Sequence, residues 1–189
     1  MGLAVLAVAC WVFPVLVSLL AVRLVYVLGR SGRPRTNPYA AGARCLIVLG
    51  SGGHTAEMMN IITELQKDRF TPRYYVAALT DNMSLQKAEV YEQSLIQGSG
   101  AKTMKNAHFM KIFCNGPGTC IPLCVSAFLL KVFGLGWSYI FYIESIARVQ
   151  KLSLSGLLLY KLRIADQFFV QWPQLLQKYP RAQYAGSLM

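Results

Sequence analysis

From Gly2 to Val22 the chain carries no charged residue, and apolar side chains fill most of the run. A helix over such a stretch, rising 1.5 Å per residue, reaches about 30 Å, the thickness of a bilayer core. Pro14 sits mid-run, which membrane helices tolerate. The pattern then breaks. Arg30 to Gly42, "RSGRPRTNPYAAG", has Pro, Gly and Asn and no periodicity, the signature of a linker. From there apolar runs alternate with helical stripes. Leu46–Leu49 reads as a buried strand and Thr55–Lys67 as a helix with Met58, Met59, Ile61, Ile62 and Leu65 on one face. Arg73–Leu79 reads as a strand, Asp81–Gln93 as a helix capped by Asp81 or Asn82, Lys111–Cys114 as a strand and Cys120–Phe133 as a helix with Pro122 in its first turn. Trp137–Ile143, a helix over Leu152–Leu162, Asp166–Trp172 and a short helix over Pro173–Lys178 complete the series.

Strands alternating with helices predict an α/β fold, a Rossmann-like doubly wound parallel sheet, behind one N-terminal transmembrane helix. The expected division is 2–28 as a transmembrane signal anchor, 29–43 as a basic linker and 44–189 as the Rossmann-like domain. Ligands of such sheets bind at the carboxyl ends of the strands. Three polar turns fall there: Gly50–Thr55, Asn115–Thr119 and Glu144-Ser145.

Charge sets the orientation. No basic residue precedes the apolar run, as a cleaved signal would want, whereas Arg23, Arg30, Arg33, Arg35 and Arg44 follow it. The positive-inside rule places the N-terminus in the lumen and the body in the cytosol. A cleaved signal and a buried core helix are the alternatives. Position 6 is Leu, so Met1-Gly2 is no myristoylation signal. The sequon Asn82-Met83-Ser84 should stay unmodified on the cytosolic side. The net charge of +11 asks for an anionic partner, and the linker arginines suit lipid head groups. The basic residues are scattered, with no long block or aromatic-interleaved strip, so no nucleic acid is expected. The five cysteines, at 10, 45, 114, 120 and 124, form no CxxC pair and fit no zinc pattern. They read as reduced, buried small hydrophobes, as on the cytosolic side of a membrane, and no metal site is expected.

The glycine turns carry the chemistry. "GSGGHT" opens a helix and so offers free backbone N–H groups and the positive end of the helix dipole to an anion. It is no P-loop, since no Gly-Lys-Ser/Thr follows. As a dinucleotide fingerprint it is imperfect, with Thr55 at the third glycine position, although Asp81 stands where a ribose-binding acid would. His54 at the loop's edge suits a general base or a phosphate donor, or a helix cap. Glu144 ends an apolar strand, where an acid takes a sugar hydroxyl's proton or caps the next segment. His108 reads as solvated.

An anchor followed by "GSGGHTAEM", "CNGPGTCIPLCVSA", "YIESIARV", "FVQWPQL" and a terminal "YAGSLM" closely resembles one family, the membrane-anchoring subunits of the UDP-N-acetylglucosamine transferase that adds the second sugar in dolichol-linked oligosaccharide synthesis. The glycine loop is also similar to that of the bacterial lipid-linked muropeptide transferase, a GT-B enzyme. The resemblance implies the N-terminal, acceptor-side half of a GT-B glycosyltransferase. A separate soluble subunit would hold UDP-N-acetylglucosamine and be recruited to the cytosolic face of the endoplasmic reticulum membrane. The acceptor would be N-acetylglucosaminyl-pyrophosphoryl-dolichol and the new linkage β-1,4, formed with inversion; no cofactor is implied. Carried over by motif, Gly50, Ser51, Gly52, Gly53, Thr55, Asn115, Gly116, Pro117, Gly118 and Thr119 would bind the acceptor. His54 or Glu144 would be the catalytic base, and "YAGSLM" the partner-docking end. One departure stands out. Where the family has a further strand and a long helix, this chain has only Gln93–Phe109, with the polar, unpatterned "QGSGAKTMKNAH". The missing unit would be an edge strand and a crossover, and the shortened form is expected to be less stable. Two rival readings stay open: a non-catalytic membrane scaffold, and an anchored NAD-binding oxidoreductase.

Overall fold

β1, Arg44–Val48, ends in the unbroken buried run Val48-Leu49-Gly50, a central strand covered on both faces. The computed structural model describes residues 2–32, 43–65, 70–98, 110–116 and 118–186. His108, Pro117, most of the expected linker, Gln66-Lys67 and the terminal Ser187–Met189 lie outside the described residues. The elements run α1 Gly2–Arg30, β1, α2 Gly53–Glu64, β2 Arg73–Val76, α3 Asn82–Gly98, β3 Met110–Asn115, α4 Cys120–Val132, β4 Ser138–Ile143, α5 Leu154–Lys161, β5 Gln167–Val170, α6 Pro173–Lys178 and β6 Gln183–Tyr184. The six strands form one sheet in the order β2-β1-β3-β4-β5-β6, every pair parallel.

Period-two alternation divides the core. On one face Ile47, Phe113 and Ile143 meet Met58, Ile61 and Ile62 of α2 and Ala88 of α3. On the other, Ile112, Cys114, Ile140, Tyr142 and Phe168 meet Cys120, Cys124 and Ala127 of α4, Leu159 of α5 and Leu175 of α6. The helices change face between β1 and β3, which makes that gap the switch point of the sheet.

The position of α3 is unusual. β1-α2-β2 steps toward one edge, and β2-α3-β3 steps back past β1, yet both helices lie on the same face. The two crossovers therefore have opposite hands in their helical legs. β3-α4-β4, which steps the same way as β2-α3-β3 but with its helix on the other face, shares the hand of β1-α2-β2. Right-handed crossovers are close to universal. α3 thus lies where it would carry the chain outward, to a strand beyond β2. Its flank bears the marks of an absent neighbour: Leu79, Met83 and Val90 are exposed, and Tyr74 is bare on the opposite face of β2.

α1 is long and apolar enough to cross a membrane, with Cys10–Arg30 as the candidate span. Its helix continues to Arg30, into the expected linker, and its end is pinned to the domain. Val27 is buried, Gly32 N donates to Asp166 O at 2.9 Å, and Ser31 Oγ donates to Ala165 O at 2.9 Å. Beneath this junction Lys131 is buried in an ion pair with Asp166, whose Oδ2 also accepts from Ile140 N at 2.8 Å. Four of the cysteines are buried as the sequence suggests, and burial pushes the Cys45 thiol up to about 12. Cys10 is the exception: it is exposed, on the bare surface of α1.

Candidate functional site

The three polar turns meet in one open cleft of about 520 Å³, lined by Gly53, His54, Glu57, Gly116, Glu144, Ser145, Ile146, Ala147, Arg148 and Ser153. The volume falls within the range of small-ligand sites. Its floor is the switch point, where the turn after β1 supplies His54 and the turn after β3 supplies Asn115 and Gly116.

His54 stands in the first turn of α2, with its side chain about one-third exposed. Its Nδ1 is 3.0 Å from Asn115 Oδ1. In the tautomer with the proton on Nδ1, that nitrogen donates to Asn115 and Nε2 is left as a bare acceptor. Glu57, one turn along α2, lies 3.9 Å from the same Nδ1. Gly116 is required by two constraints at once: its φ is +57°, and a Cβ there would sit 2.7 Å from His54 Cε1. The bare backbone lets the imidazole approach the β3 turn closely. Asn115 is buried, and its Nδ2 has no partner among the described residues. A buried amide donor without a partner is uncommon in a folded protein.

Glu144 is fully buried and has both oxygens occupied. Oε1 accepts from Ser145 N at 3.3 Å, and Oε2 accepts from Ser153 N and Ser153 Oγ, each at 3.1 Å. Ser153 in turn caps α5, accepting from Gly156 N at 3.0 Å. A Cβ on Gly156 would fall 2.1 Å from Glu144 Oε2, so the carboxylate is seated against the helix's first turn. Burial holds its pKa above the ordinary value, against the Ser153 and Ser145 hydrogen bonds that lower it.

Of the residues expected from the motifs, the fold brings Gly53, His54, Gly116 and Glu144 to the cleft and seats Asn115 behind them. Others do different work. Thr55 is buried, with its hydroxyl on Gly50 O and 2.6 Å from Ser84 Oγ, so it fastens the first turn to α3. Gly50 is buried with it, while Ser51, Gly52, Gly118 and Thr119 are exposed outside the cleft lining. Asp81 caps α3, accepting from Ser84 N at 3.2 Å and from Ser84 Oγ at 2.6 Å, and lies outside the cleft lining.

Sequence reasoning missed Glu57, Gln171 and Arg148. Glu57 is buried; it accepts from Ile146 N at 2.7 Å and from Gln171 Nε2, which also donates to Glu144 O at 3.1 Å. This ties α2, the end of β4 and the end of β5 into one frame around the cleft. The signal was available: Gln171, like Glu144, is a polar residue ending an apolar strand, and Glu57 interrupts the buried face of α2. Arg148 brings a guanidinium to the rim.

A sequence model of the family described as "Oligosaccharide biosynthesis protein Alg14 like" matches residues 45–112 and 99–188. The UDP-N-acetylglucosamine transferase subunit ALG14 of Yarrowia lipolytica is 39% identical over 204 residues, covering 90% of this chain and 94% of that one. The same-named subunit of Rattus norvegicus is 36% identical, covering 92% and 94%, and that of Homo sapiens 37% identical, covering 76% and 82%. The alignment with the Yarrowia protein is longer than the 189 residues of this chain, so it includes residues for which this chain has none. No solved structure matches.

Proposed function

The chain belongs to the Alg14 family, and on that premise we propose that it is the membrane-anchoring, acceptor-side subunit of a UDP-N-acetylglucosamine transferase of dolichol-linked oligosaccharide synthesis. In this reading α1 holds it in the endoplasmic reticulum membrane with its N-terminus lumenal and its body cytosolic. A soluble partner subunit brings UDP-N-acetylglucosamine, and the acceptor is N-acetylglucosaminyl-pyrophosphoryl-dolichol.

The observation that carries the reading is the His54–Asn115–Gly116 constellation at the switch point. The acceptor's 4-hydroxyl gives its proton to His54 Nε2, while Nδ1 stays bonded to Asn115. The hydroxyl oxygen attacks the anomeric carbon of the donor sugar, the bond from that carbon to the UDP oxygen breaks, and UDP leaves with the electron pair. The new linkage is β-1,4, with inversion. Glu144, with both oxygens taken up by Ser145 and Ser153, holds the α5 turn rather than the proton. The acceptor pyrophosphate is suited by the N-terminus of α2 and by Arg148 at the rim.

The test is reconstitution. The full chain is co-expressed with the soluble subunit, and membranes are assayed for transfer of labelled N-acetylglucosamine to the dolichol-linked monosaccharide. Transfer that depends on this chain and falls about 10²–10⁴-fold in His54→Ala supports the reading. Recruitment of the partner without transfer overturns it in favour of a membrane scaffold. A glycan found on Asn82 would reverse the orientation.

A further inference from the structure

The outer surface of α4 lacks what a solvated helix carries. A helix on the surface of a soluble domain shows charged residues outward. From Cys120 to Phe133 the one charged residue is Lys131, and it points inward, 1% exposed, to Asp166. The outward positions are apolar: Leu129 is 44% exposed, Leu130 47%, Phe133 57% and Leu135, in the following turn, 76%. Leu162, at the end of neighbouring α5, adds 54%. A contiguous apolar patch of this kind marks a contact surface.

What meets it is indicated by what lies beside it. The patch surrounds the point where α1 leaves the domain: Arg23 Nε donates to Lys131 O at 3.2 Å, and Ser31 Oγ donates to Arg163 O at 3.0 Å, next to Leu162. Cys10 to Val22 are exposed, so α1 departs from α4 rather than lying along it. At the junction Tyr26 and Trp137 meet edge to face with centroids 6.3 Å apart, and Arg23 and Arg30 lie over both rings. Tyr, Trp and Arg at the foot of an apolar helix are the side chains of a membrane–water interface. A cavity of about 230 Å³ beside the same exit has Arg163 and Arg181 in its lining, guanidinium donors that suit a phosphate head group, together with Asp166, whose carboxylate is paired with Lys131.

We propose that the C-terminal half of α4 and its Phe133–Leu135 turn lie in the interface of an anionic bilayer, a second membrane contact beyond the spanning helix. This rests on α1 spanning the membrane. It bears on the proposed function as well. α4 begins just after the Asn115–Gly116 turn and at 1.5 Å per residue extends about 20 Å to the α1 exit. A bilayer contact at its C-terminal half therefore lies within about 20 Å of the cleft turn, the span that a lipid-linked acceptor has to bridge from the membrane. An anchor alone would leave the domain free to swing the cleft away from the lipid surface.

Depth-dependent quenching tests this on the full chain. In a Cys10→Ser background the other cysteines are buried. Single cysteines are placed by Leu129→Cys, Phe133→Cys, Val90→Cys on exposed α3, and Leu16→Cys within α1. Each is labelled with an environment-sensitive fluorophore and reconstituted into phosphatidylcholine–phosphatidylserine vesicles carrying spin-labelled lipids. The expected result is quenching at 129 and 133 by shallow spin labels, several-fold above that at 90, and at 16 by deep ones. Quenching at 16 with 129 and 133 no different from 90 overturns the proposal and leaves the anchor standing. No quenching at 16 overturns both. Probes at 129 and 133 that become shielded only when the soluble subunit is added, without lipid quenching, overturn it in favour of a protein contact.

Discussion

On the β3–β5 side of the sheet, α4 and α5 press fully buried Cys124 and Leu159 against Ile140, Tyr142 and Val170, and a buried ion pair locks the helix end to the strand. On the β2 side, α3 buries Ala88, and its hold on the strand is polar: Arg73 Nε donates to Glu92 Oε1 at 2.6 Å, and Tyr75 OH donates to the same oxygen at 2.6 Å. One flank is a core; the other is a strand edge with a helix laid over it. The difference follows from chain order. Every crossover on the first flank returns the chain to the sheet with one hand, the hand that β1-α2-β2 shares. On the second, α3 lies on the face that leads outward, and Leu79, Met83, Val90 and Tyr74 are bare. The shortened Gln93–Phe109 stretch and the long alignment with the Yarrowia relative agree with a unit lost from this edge. The anchor joins the intact flank, while the cleft takes its walls from both: Glu144 to Ser153 from the intact side and Gly53, His54 and Glu57 from α2, whose first turn is fastened to α3.

The largest effect should come from breaking the lock. Lys131→Met leaves the Asp166 carboxylate buried with only the Ile140 N–H, and should cost about 3–5 kcal/mol. The denaturant midpoint of the full chain in detergent micelles reads it. Arg73→Ala on the other flank should cost less, about 1–3 kcal/mol, because the Glu92 side chain it leaves is one-third exposed and water takes over part of the lost bonds of the 9% exposed arginine. Equal losses would mean that the two flanks are held alike. Next in size is Gly116→Ala. Its methyl group has to displace the His54 ring, and a shift of that ring should lower transfer by about 100-fold, or about 2.7 kcal/mol of barrier. Stability should change by less, since the strained left-handed backbone costs about 1–2 kcal/mol. A variant with full activity would remove His54 from the proposed chemistry.

How much of this the chain announced depends on where one looks. Apolar runs marked β1, β3, β4 and β5 because helices bury them, and burial writes itself into the sequence, whereas β2, with no fully buried residue, was read from its aromatic and β-branched run. β6, two exposed residues at Gln183–Tyr184, has no such run and was missed. The glycine turns and His54 were legible because a helix opening after a strand has few residue choices. Thr55 was expected at the acceptor, and a loop hydroxyl reads the same whether it faces ligand or backbone; here its hydroxyl is bonded to Gly50 O and Ser84. The Glu57–Gln171 bond joins residues from α2 and the end of β5, and no local spacing encodes such a pairing. The family resemblance pointed to a missing unit, but only the shared face of α2 and α3 turns that gap into a hand of crossover.

Amide hydrogen exchange sharpens the comparison without a mutation. β2 and α3 should exchange at lower opening free energy than β3 and β4, whose central residues are fully buried. A limited-proteolysis comparison with the Yarrowia relative should show earlier cleavage in this chain. Uniform exchange across the sheet, with equal protease resistance, would show that the edge is not weakened.

The smallest effect separates the flanks by sign. Burial would raise the Glu92 pKa, but the Arg73 and Tyr75 hydrogen bonds and the Arg73 charge outweigh it and hold it below the ordinary 4.5. A carboxyl lowered on folding contributes stability above its unfolded pKa and loses it as the pH falls toward the folded value. Burial holds Glu144 on the other flank above 4.5, so its contribution is full below that pH and is lost as the pH rises through the raised value. Acidification across 4.5 should therefore loosen the β2–α3 flank while favouring the β4–α5 turn. Exchange rates of α3 amides should rise on acidification relative to those of α5, after correction for intrinsic exchange. The contrast should shrink in Arg73→Ala, which removes the partner that holds Glu92 down. If both helices respond alike, the two acids do not experience the opposite environments that their contacts describe.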